Sequence, residues 1–298
     1  MDGFGLQPLA GGFSGETFVA EAAGERTVVR VYGKRSAWRG PAASEVDAGV
    51  LRLVRGLLPV PEVLEVRRAD PSAGSPGMLV TELLPGTRLD LLLPTLDDVG
   101  RAKVGRELGG LLARLAQMPM PRAGLFVDGD LRVDPFPVTD LAEFVRSRRA
   151  GTALADWSSD DFVRLVEVAD AAQSHLDGVR RTCLVHSDFN PKNVLVDPEH
   201  LVVTGLLDWE FAHAGLPVTD LGNLLRFERD RVLAGAVLEV FRAAVPDAGG
   251  DVLTRARAAD LYALTDLAAR RGENPVAERA HALLLAVARS GDLHALPT

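Results

Sequence analysis

Cysteine is almost absent from this chain of 298 residues, which contains only Cys183. A single cysteine excludes an internal disulfide and gives no thiolate cluster for a zinc site. We therefore expect a reducing, cytoplasmic environment. The neighbours Thr182, Leu184 and Val185 are mostly apolar and nothing nearby would activate a thiol, so Cys183 is expected to be a small core residue.

Long hydrophobic runs are also missing. No stretch approaches the roughly 20 apolar residues that cross a bilayer, and residues 1–5 lack the basic and apolar regions of a signal peptide. Neither membrane insertion nor secretion is expected.

Positive charge is scarce: 33 Lys and Arg residues oppose 41 Asp and Glu residues, for a formal net charge of -8. This balance argues against nucleic acid as a partner, since phosphate binding needs a basic surface. It permits a cationic ligand, although ordinary solubility explains it equally well. The only lysines are Lys34, Lys103 and Lys192, so a fixed cation in any mechanism must be one of these or an arginine.

What remains is a composition of 47 % apolar and 25 % charged residues, which is typical of globular domains. The length allows two domains or one domain of two lobes. Short β-like segments predict a small sheet over 17–22, 27–32, 61–67 and 78–83. Helical spacing predicts one inserted helix over 42–58, and Pro85-Gly86 ends this part of the chain.

The remainder is predicted to be mainly helical, with one β-hairpin formed by residues 194–196 and 201–207. We expect Thr95, Thr139 and either Ser158 or Ser159 to begin the first three long helices. The predicted helices cover residues 96–117, 139–150, 159–177, 219–229, 231–244, 251–271 and 275–290.

The segment from Val185 to Val196 carries the pattern H-x-D-x-x-x-x-N, which is typical of phosphotransferase catalytic loops. In such a loop Asp188 orients an attacking hydroxyl and accepts its proton, and Asn193 offers a neutral oxygen to Mg²⁺. Asp208 directly follows an apolar strand further on and supplies the anionic oxygen that a hard divalent cation prefers. Asn193 and Asp208 are therefore the predicted metal ligands.

These residues resemble the aminoglycoside phosphotransferase and choline kinase family, relatives of the protein kinases. The resemblance implies an α+β, bilobal, protein-kinase-like fold with a small antiparallel β N-lobe, one inserted helix and a larger, mainly helical C-lobe. Residues 1–84 would bind the nucleotide, and 85–298 would carry the catalytic loop, the metal site and the acceptor site, with a hinge near 82–86. Mg²⁺ and either ATP or GTP are implied as cofactor and co-substrate.

The resemblance also assigns nucleotide contacts. Arg30 matches the basic residue that contacts the α- and β-phosphates, where protein kinases have lysine, and Lys34 is a second candidate for that contact. Glu45 matches the acidic partner of this basic residue. The phosphate-covering loop, whose small residues let N–H groups approach the phosphates, comprises Gly11, Gly12, Phe13, Ser14 and Gly15.

The hinge of the family hydrogen-bonds adenine, here near Glu82 and Leu84, and Leu195 and Leu207 would lie beneath the purine. His186 and Asp220 match residues that brace the catalytic loop and take no part in proton transfer. An acidic acceptor cleft is a further expectation, although each of its candidate residues is also explained as a charge on a solvated helix face. The candidates are Glu210, Glu228, Asp230 and Glu239.

About a dozen residues separate Asp208 from Asp220, too few for the activation segment on which protein kinases dock a peptide. Asn190, where protein kinases have lysine, likewise favours a small-molecule kinase. Our first hypothesis is an O-phosphotransferase that confers resistance to a cationic antibiotic, either an aminoglycoside or a tuberactinomycin-type basic peptide. The alternatives are a metabolic kinase for a sugar or amino alcohol and a catalytically inactive nucleotide-binding module.

Overall fold

A five-stranded antiparallel sheet forms the N-terminal part of the computed structural model, which describes residues 5–8, 17–22, 24–246, 249 and 251–296. The strands are Gly5–Pro8 (β1), Thr17–Ala22 (β2), Glu25–Tyr32 (β3), Val63–Arg67 (β4) and Gly77–Glu82 (β5). Their order in the sheet is β1-β2-β3-β5-β4.

One α-helix, Ala43–Val54 (α1), is inserted between β3 and β4, as predicted, after the 3₁₀ segment Lys34–Arg39. The apolar face of α1 is buried, with Val50 and Val54 fully covered. The predicted helix extends four residues too far. Arg55 is extended and Gly56 has φ of 82°, a left-handed conformation that glycine adopts without steric cost.

The rest of the chain is mainly helical, as predicted, and none of the helices within the described residues has both the length and the apolar character needed to cross a membrane. The helices are Leu89–Leu92 (α2), Asp98–Ala116 (α3), Leu141–Ser147 (α4), Ser159–Asp177 (α5), Thr219–Leu225 (α6), Arg231–Ala244 (α7), Val252–Ala269 (α8) and Pro275–Ser290 (α9).

Two of the three predicted helix caps are wrong. The carboxylates of Asp97 and Asp140 cap α3 and α4, each accepting from the N–H three residues on. Thr95 is held in a 3₁₀ turn, where its hydroxyl donates to Leu92. Ser158 caps α5 as predicted. Aspartate and threonine both suit this position, so composition alone did not select the correct residue.

Two small antiparallel sheets belong to the mainly helical part of the chain. Their strands are Thr87–Arg88 (β6), Gly124–Phe126 (β7), Val133–Asp134 (β8), Cys183–Val185 (β9), Val194–Val196 (β10), Val203–Leu206 (β11) and His213–Gly215 (β12). The sheet that contains the predicted hairpin has the order β11-β10-β6, and the other sheet has the order β8-β7-β12-β9. Together they hold the loop between β9 and β10. Most of these strands are too short for alternation to reveal them.

The close approach of α3 to α7 depends on glycine. A Cβ atom on Gly109 would lie 2.7 Å from the carbonyl oxygen of Val237 and 3.0 Å from Cβ of Val240. The next residue, Gly110, faces open space, with nothing within 4 Å of such an atom. The two glycines are thus neighbours in one helix with opposite surroundings.

We expect Gly109→Ala to lower the free energy of unfolding by on the order of 1 kcal/mol, because overpacking against α7 outweighs the gain in helix propensity. Gly110→Ala serves as the matched control and is expected to raise it by about 0.5–1 kcal/mol. Urea denaturation of both variants measures the difference. Stabilisation of both by the same amount would contradict the tight contact.

Candidate active site

The loop with the H-x-D-x-x-x-x-N pattern connects β9 to β10, and its first residues are anchored by Asp220 at the start of α6. The backbone N–H groups of His186 and Ser187 donate to the two carboxylate oxygens of Asp220, at 2.9 and 2.7 Å. Asp220 is 4 % exposed. Burial raises its pKa to about 7, against the opposing effect of the two N–H donors. Asp220 therefore has the bracing position predicted for it.

His186 is also a structural residue. Its side chain is fully buried, and burial lowers its pKa to about 4. Nδ1 accepts from the N–H of Asp188 at 3.3 Å, so the proton belongs on Nε2, which lies 2.9 Å from the carbonyl oxygen of Leu207. A neutral ring held at both nitrogens positions the loop and is not placed to carry protons.

Two asparagine side chains orient the carboxylate of Asp188. Nδ2 of Asn190 donates to Oδ1 at 2.9 Å, and Nδ2 of Asn193 donates to Oδ2 at 2.8 Å. Burial and the nearby Asp208 raise the pKa of Asp188 to about 6. Such a carboxylate is ionised at neutral pH, is a stronger base than an exposed aspartate, and has a fixed direction. These are the properties that a general base for a hydroxyl group needs.

The β10–β11 hairpin places Asn193 and Asp208 at the same end, because the N–H of Leu207 donates to the carbonyl oxygen of Asn193 at 2.8 Å. The amide nitrogen of Asn193 is occupied by Asp188, and its Oδ1 has no hydrogen bond within the described part of the chain. One carboxylate and one free amide oxygen fit Mg²⁺, which usually takes one or two carboxylates and completes its shell with water and phosphate.

Two residues of the candidate site have a backbone conformation in the left-handed region of φ. Ser187 has φ of 68° and Asp208 has φ of 62°. Few residues other than glycine adopt this conformation, and strain of this kind is concentrated at functional sites. The strain falls next to Asp188 and on the predicted metal ligand itself.

Arg30 of β3 reaches the same site from the sheet. Its NH1 lies 2.6 Å from Asp208 Oδ1 and its NH2 lies 2.5 Å from Glu210 Oε2. Burial disfavours the charged guanidinium, but the neighbouring carboxylates outweigh it and the pKa of Arg30 is raised. A buried cation in this position joins the N-terminal sheet to the segment after β11 and partly neutralises two acidic residues.

The predicted pairing of Arg30 with Glu45 is wrong. Glu45 lies in the first turn of α1, where its carboxylate accepts from Arg68 at 2.6 Å in an exposed ion pair. The buried acid of α1 is Asp47, which accepts from the hydroxyl of Tyr32 at 2.6 Å and pairs with Arg39. Arg30 instead extends toward the carboxylates that follow β11.

Sequence comparison agrees with this geometry. Residues 5–261 match the phosphotransferase enzyme family. The chain belongs to that family. Acyl-CoA dehydrogenase family member 10 of Mus musculus is 25 % identical over 215 residues, which are 70 % of this chain and 19 % of that protein. The chain spans less than a fifth of the curated relatives it matches.

Solved structures of aminoglycoside phosphotransferases share the fold of this phosphotransferase. A thermostable mutant of APH(4)-Ia, in ternary complex with ADP and hygromycin B, superposes with a TM-score of 0.66 at 20 % identity, covering 96 % of this chain and 94 % of that chain. The GDP complex of a mutant aminoglycoside 2′-phosphotransferase-IIIa gives 0.67 at 16 % identity, covering 97 % and 86 %. The predicted α+β, bilobal, kinase-like fold is confirmed.

Part of the predicted nucleotide site lies outside the described residues. This applies to the glycine-rich loop from Gly11 to Gly15 and to the side chain of Lys34. Apart from Arg30 and Glu45, the remaining predicted residues of this site are on the predicted hinge and on the hairpin.

The structure brings Leu84 of the predicted hinge against the hairpin of this phosphotransferase. A Cβ atom on Gly205 would lie 3.0 Å from Cδ1 of Leu84 and 3.1 Å from Cδ1 of Leu195, so both side chains lie close to the glycine. Leu207 is half-buried at the end of the same hairpin. The N–H of Glu82 already donates to the carbonyl oxygen of Glu62, so it is not available as a donor to adenine.

Sequence reasoning did not identify three residues of this site. Gly205 interrupts an apolar strand, a known sign of close packing. The sequence marks Asn190 only as a departure from the protein kinases, whereas in the structure its amide orients Asp188. The sequence predicts an acceptor-cleft position for Glu210, whereas in the structure it pairs with Arg30. Only the glycine had a signal in the sequence alone.

The four acidic candidates for an acceptor cleft do not form one cluster. Glu210 is paired with Arg30, and Glu239 lies within α7. Glu228 and Asp230 precede α7, where Asp230 caps the helix and pairs with Arg101 at 2.8 Å. Cys183, by contrast, is a core residue as predicted: it is buried, and burial raises the pKa of its thiol.

Proposed function

We propose that this phosphotransferase transfers the γ-phosphoryl group of ATP or GTP, with Mg²⁺, to a hydroxyl group of a small cationic antibiotic. An aminoglycoside or a tuberactinomycin-type basic peptide is the expected acceptor. The observation that carries the proposal is the carboxylate of Asp188, which two asparagine amides orient beside Asp208. This geometry also argues against a catalytically inactive module.

Each residue has a distinct role in this proposal. Asp188 accepts the proton of the acceptor hydroxyl as the phosphoryl group is transferred. Asp208 and Oδ1 of Asn193 would hold Mg²⁺, which when bound neutralises charge on the nucleotide phosphates. Arg30 is near enough to Asp208 to contact those phosphates as well.

The proposal divides the chain near the hinge at 82–86. Residues 1–84, with Gly11 to Gly15, would bind the nucleotide, and 85–298 would carry the catalytic loop and bind the acceptor. Leu84 and Leu195, which both lie close to Gly205, would contact the purine together with Leu207. The expected location is the cytoplasm, and no role is proposed for a membrane or nucleic acid.

The cationic acceptor is supported by the net charge of -8 and by the similar fold of a phosphotransferase that binds hygromycin B. A metabolite hydroxyl is the second candidate. It is favoured by the match to an acyl-CoA dehydrogenase family member and by the dispersal of the acidic candidate residues. Release of ADP or GDP, measured across a panel of antibiotics and of sugars and amino alcohols, tests both.

For a polycationic acceptor we expect KM to rise steeply between about 0.1 and 1 M salt, because the Debye length falls from about 10 Å to about 3 Å. The KM of the nucleotide is the internal control. It should rise less, because closely apposed and partly buried charges are screened less. An acceptor KM that does not depend on salt, or the absence of turnover with every cationic antibiotic, would favour the metabolic kinase.

A further inference from the structure

A second cavity, of about 520 Å³, lies among the end of α6, the helices α7 and α8, and the segment after α9. Its volume is within the range of small-molecule sites, about 300–1,000 Å³. Two acceptor-cleft candidates, Glu228 and Asp230, line it, whereas Arg30, Asp188, Asn193 and Asp208 do not. One wall is apolar, and its residues are Leu225, Ala234, Leu238, Leu253 and Leu296.

Arg257 of α8 is the unusual residue of this cavity. It has no hydrogen bond or ion pair within the described part of the chain, and its Nε is completely buried. Burial lowers its pKa to about 10. A buried N–H donor of a half-buried cation is costly when it has no acceptor, and native proteins normally pair such a group.

The nearest acid is already fully used. Both carboxylate oxygens of Asp260 accept from the guanidinium of Arg226, at 2.6 and 2.9 Å, and Oδ1 also accepts from Asn223 at 2.9 Å. Asp260 thus attracts Arg257 only at a distance, and the charge of Arg257 has no direct partner.

The acids that line the cavity are likewise occupied. Glu228 Oε1 accepts from the N–H groups of Arg229 and Asp230, and Asp230 caps α7 and pairs with Arg101. Arg229 NH1 donates to backbone carbonyl oxygens. The other titratable groups that line the cavity are Arg231 and His294, so positive charge prevails.

We propose that this cavity binds a small amphipathic anion, with a carboxylate or phosphate group on Arg257 and a hydrocarbon body against the leucines. The anion would supply the hydrogen-bond acceptors that the described residues do not give to Arg257. Charge-assisted hydrogen bonds to a guanidinium are the strong ones in proteins, and they are strongest where water is excluded. The proposed site is distinct from Asp188, Asn193 and Asp208, none of which lines the cavity.

The test compares Arg257→Met with Arg242→Met, a matched change of an exposed arginine of α7 that does not line the cavity. Methionine keeps the packing of the arginine stem while removing its charge. Octanoate, phenyl phosphate and inorganic phosphate are titrated calorimetrically into each protein without nucleotide. Comparison of octanoate with phenyl phosphate shows whether the site prefers a carboxylate or a phosphate group. Inorganic phosphate has no hydrocarbon body and therefore measures the contribution of the phosphate group alone.

We expect octanoate or phenyl phosphate to bind the unmodified chain more tightly than inorganic phosphate does. Arg257→Met should weaken that binding by on the order of 10- to 100-fold, and Arg242→Met should leave it unchanged. Equal binding to both variants, or no binding of any of the three probes to the unmodified chain, would overturn the proposal.

Thermal unfolding gives a second readout and shows whether Arg257→Met folds. Without added anion, this variant should have a higher Tm than the unmodified chain, because an unpaired buried charge has been removed. The anion that binds should raise the Tm of the unmodified chain and not that of the variant. The proposal would be contradicted if Arg257→Met had a lower Tm than the unmodified chain without anion and if the anion raised the Tm of both proteins by the same amount. Arg257 would then have only a structural role.

Discussion

Asp188→Asn is expected to lower turnover by on the order of 10² to 10⁴, the usual contribution of a positioned acid–base group. Asparagine has the same shape and can keep one of the two contacts made by Asn190 and Asn193. It is not basic enough to accept the proton of a hydroxyl. The nucleotide affinity should change little, because the carboxylate of Asp188 is directed toward the acceptor in the proposed reaction.

Acceptor-dependent release of ADP or GDP measures turnover, and calorimetry measures nucleotide affinity. Asp197→Asn is the matched control, since its side chain accepts two N–H bonds in the exposed turn of the hairpin and an amide oxygen preserves them. This control should keep full activity. If Asp188→Asn retained more than half of the turnover, Asp188 would have no part in the reaction.

Asp208→Ala is expected to weaken Mg²⁺-dependent nucleotide binding by more than about 100-fold, because metal sites lose 10- to 100-fold even when a supporting residue is changed. Asn193→Ala should weaken binding less, since it removes a neutral ligand. It also removes a hydrogen bond to Asp188, so its larger effect should be on turnover. The two variants therefore separate affinity from catalysis.

Titration of each variant with nucleotide, with and without Mg²⁺, measures these affinities. Glu199→Ala, in the turn at the far end of the same hairpin, controls for loss of an acidic side chain outside the site. In Asp208→Ala, Arg30 can still pair with Glu210, so we expect the N-terminal sheet to keep its structure. Weaker binding in Asn193→Ala than in Asp208→Ala would contradict the assignment.

The spacing of Asp188, Asn193 and Asp208 can be read from the sequence because the first two share one loop and a single hairpin separates them from the third. A strand, a tight turn and a second strand have local signals, and the geometry of the hairpin then brings its two ends together. The inserted helix and most strands of the N-terminal sheet were predicted for the same reason. Their apolar residues repeat over enough turns or alternations to define a period.

The partner of Arg30 could not be read in this way. The sequence offers several carboxylates, Glu45 and Glu210 among them, and which one an arginine meets depends on how the sheet packs against the hairpin. Glu45 forms an ion pair with Arg68, and nothing in the sequence around Arg68 predicts that pair. The short strands β6 to β9 and β12 were missed because two or three residues have no measurable periodicity.

The anchoring of the predicted catalytic loop by Asp220 has a consequence for biosynthesis. Asp220 follows His186 by 34 residues, and its carboxylate holds the loop by the backbone and not by any side chain. During translation, the ribosome therefore adds all the residues of the loop before it adds Asp220. Until α6 emerges and packs, the N–H groups of His186 and Ser187 lack these acceptors. A nascent chain thus gains a competent active site only when its C-terminal half folds as a unit.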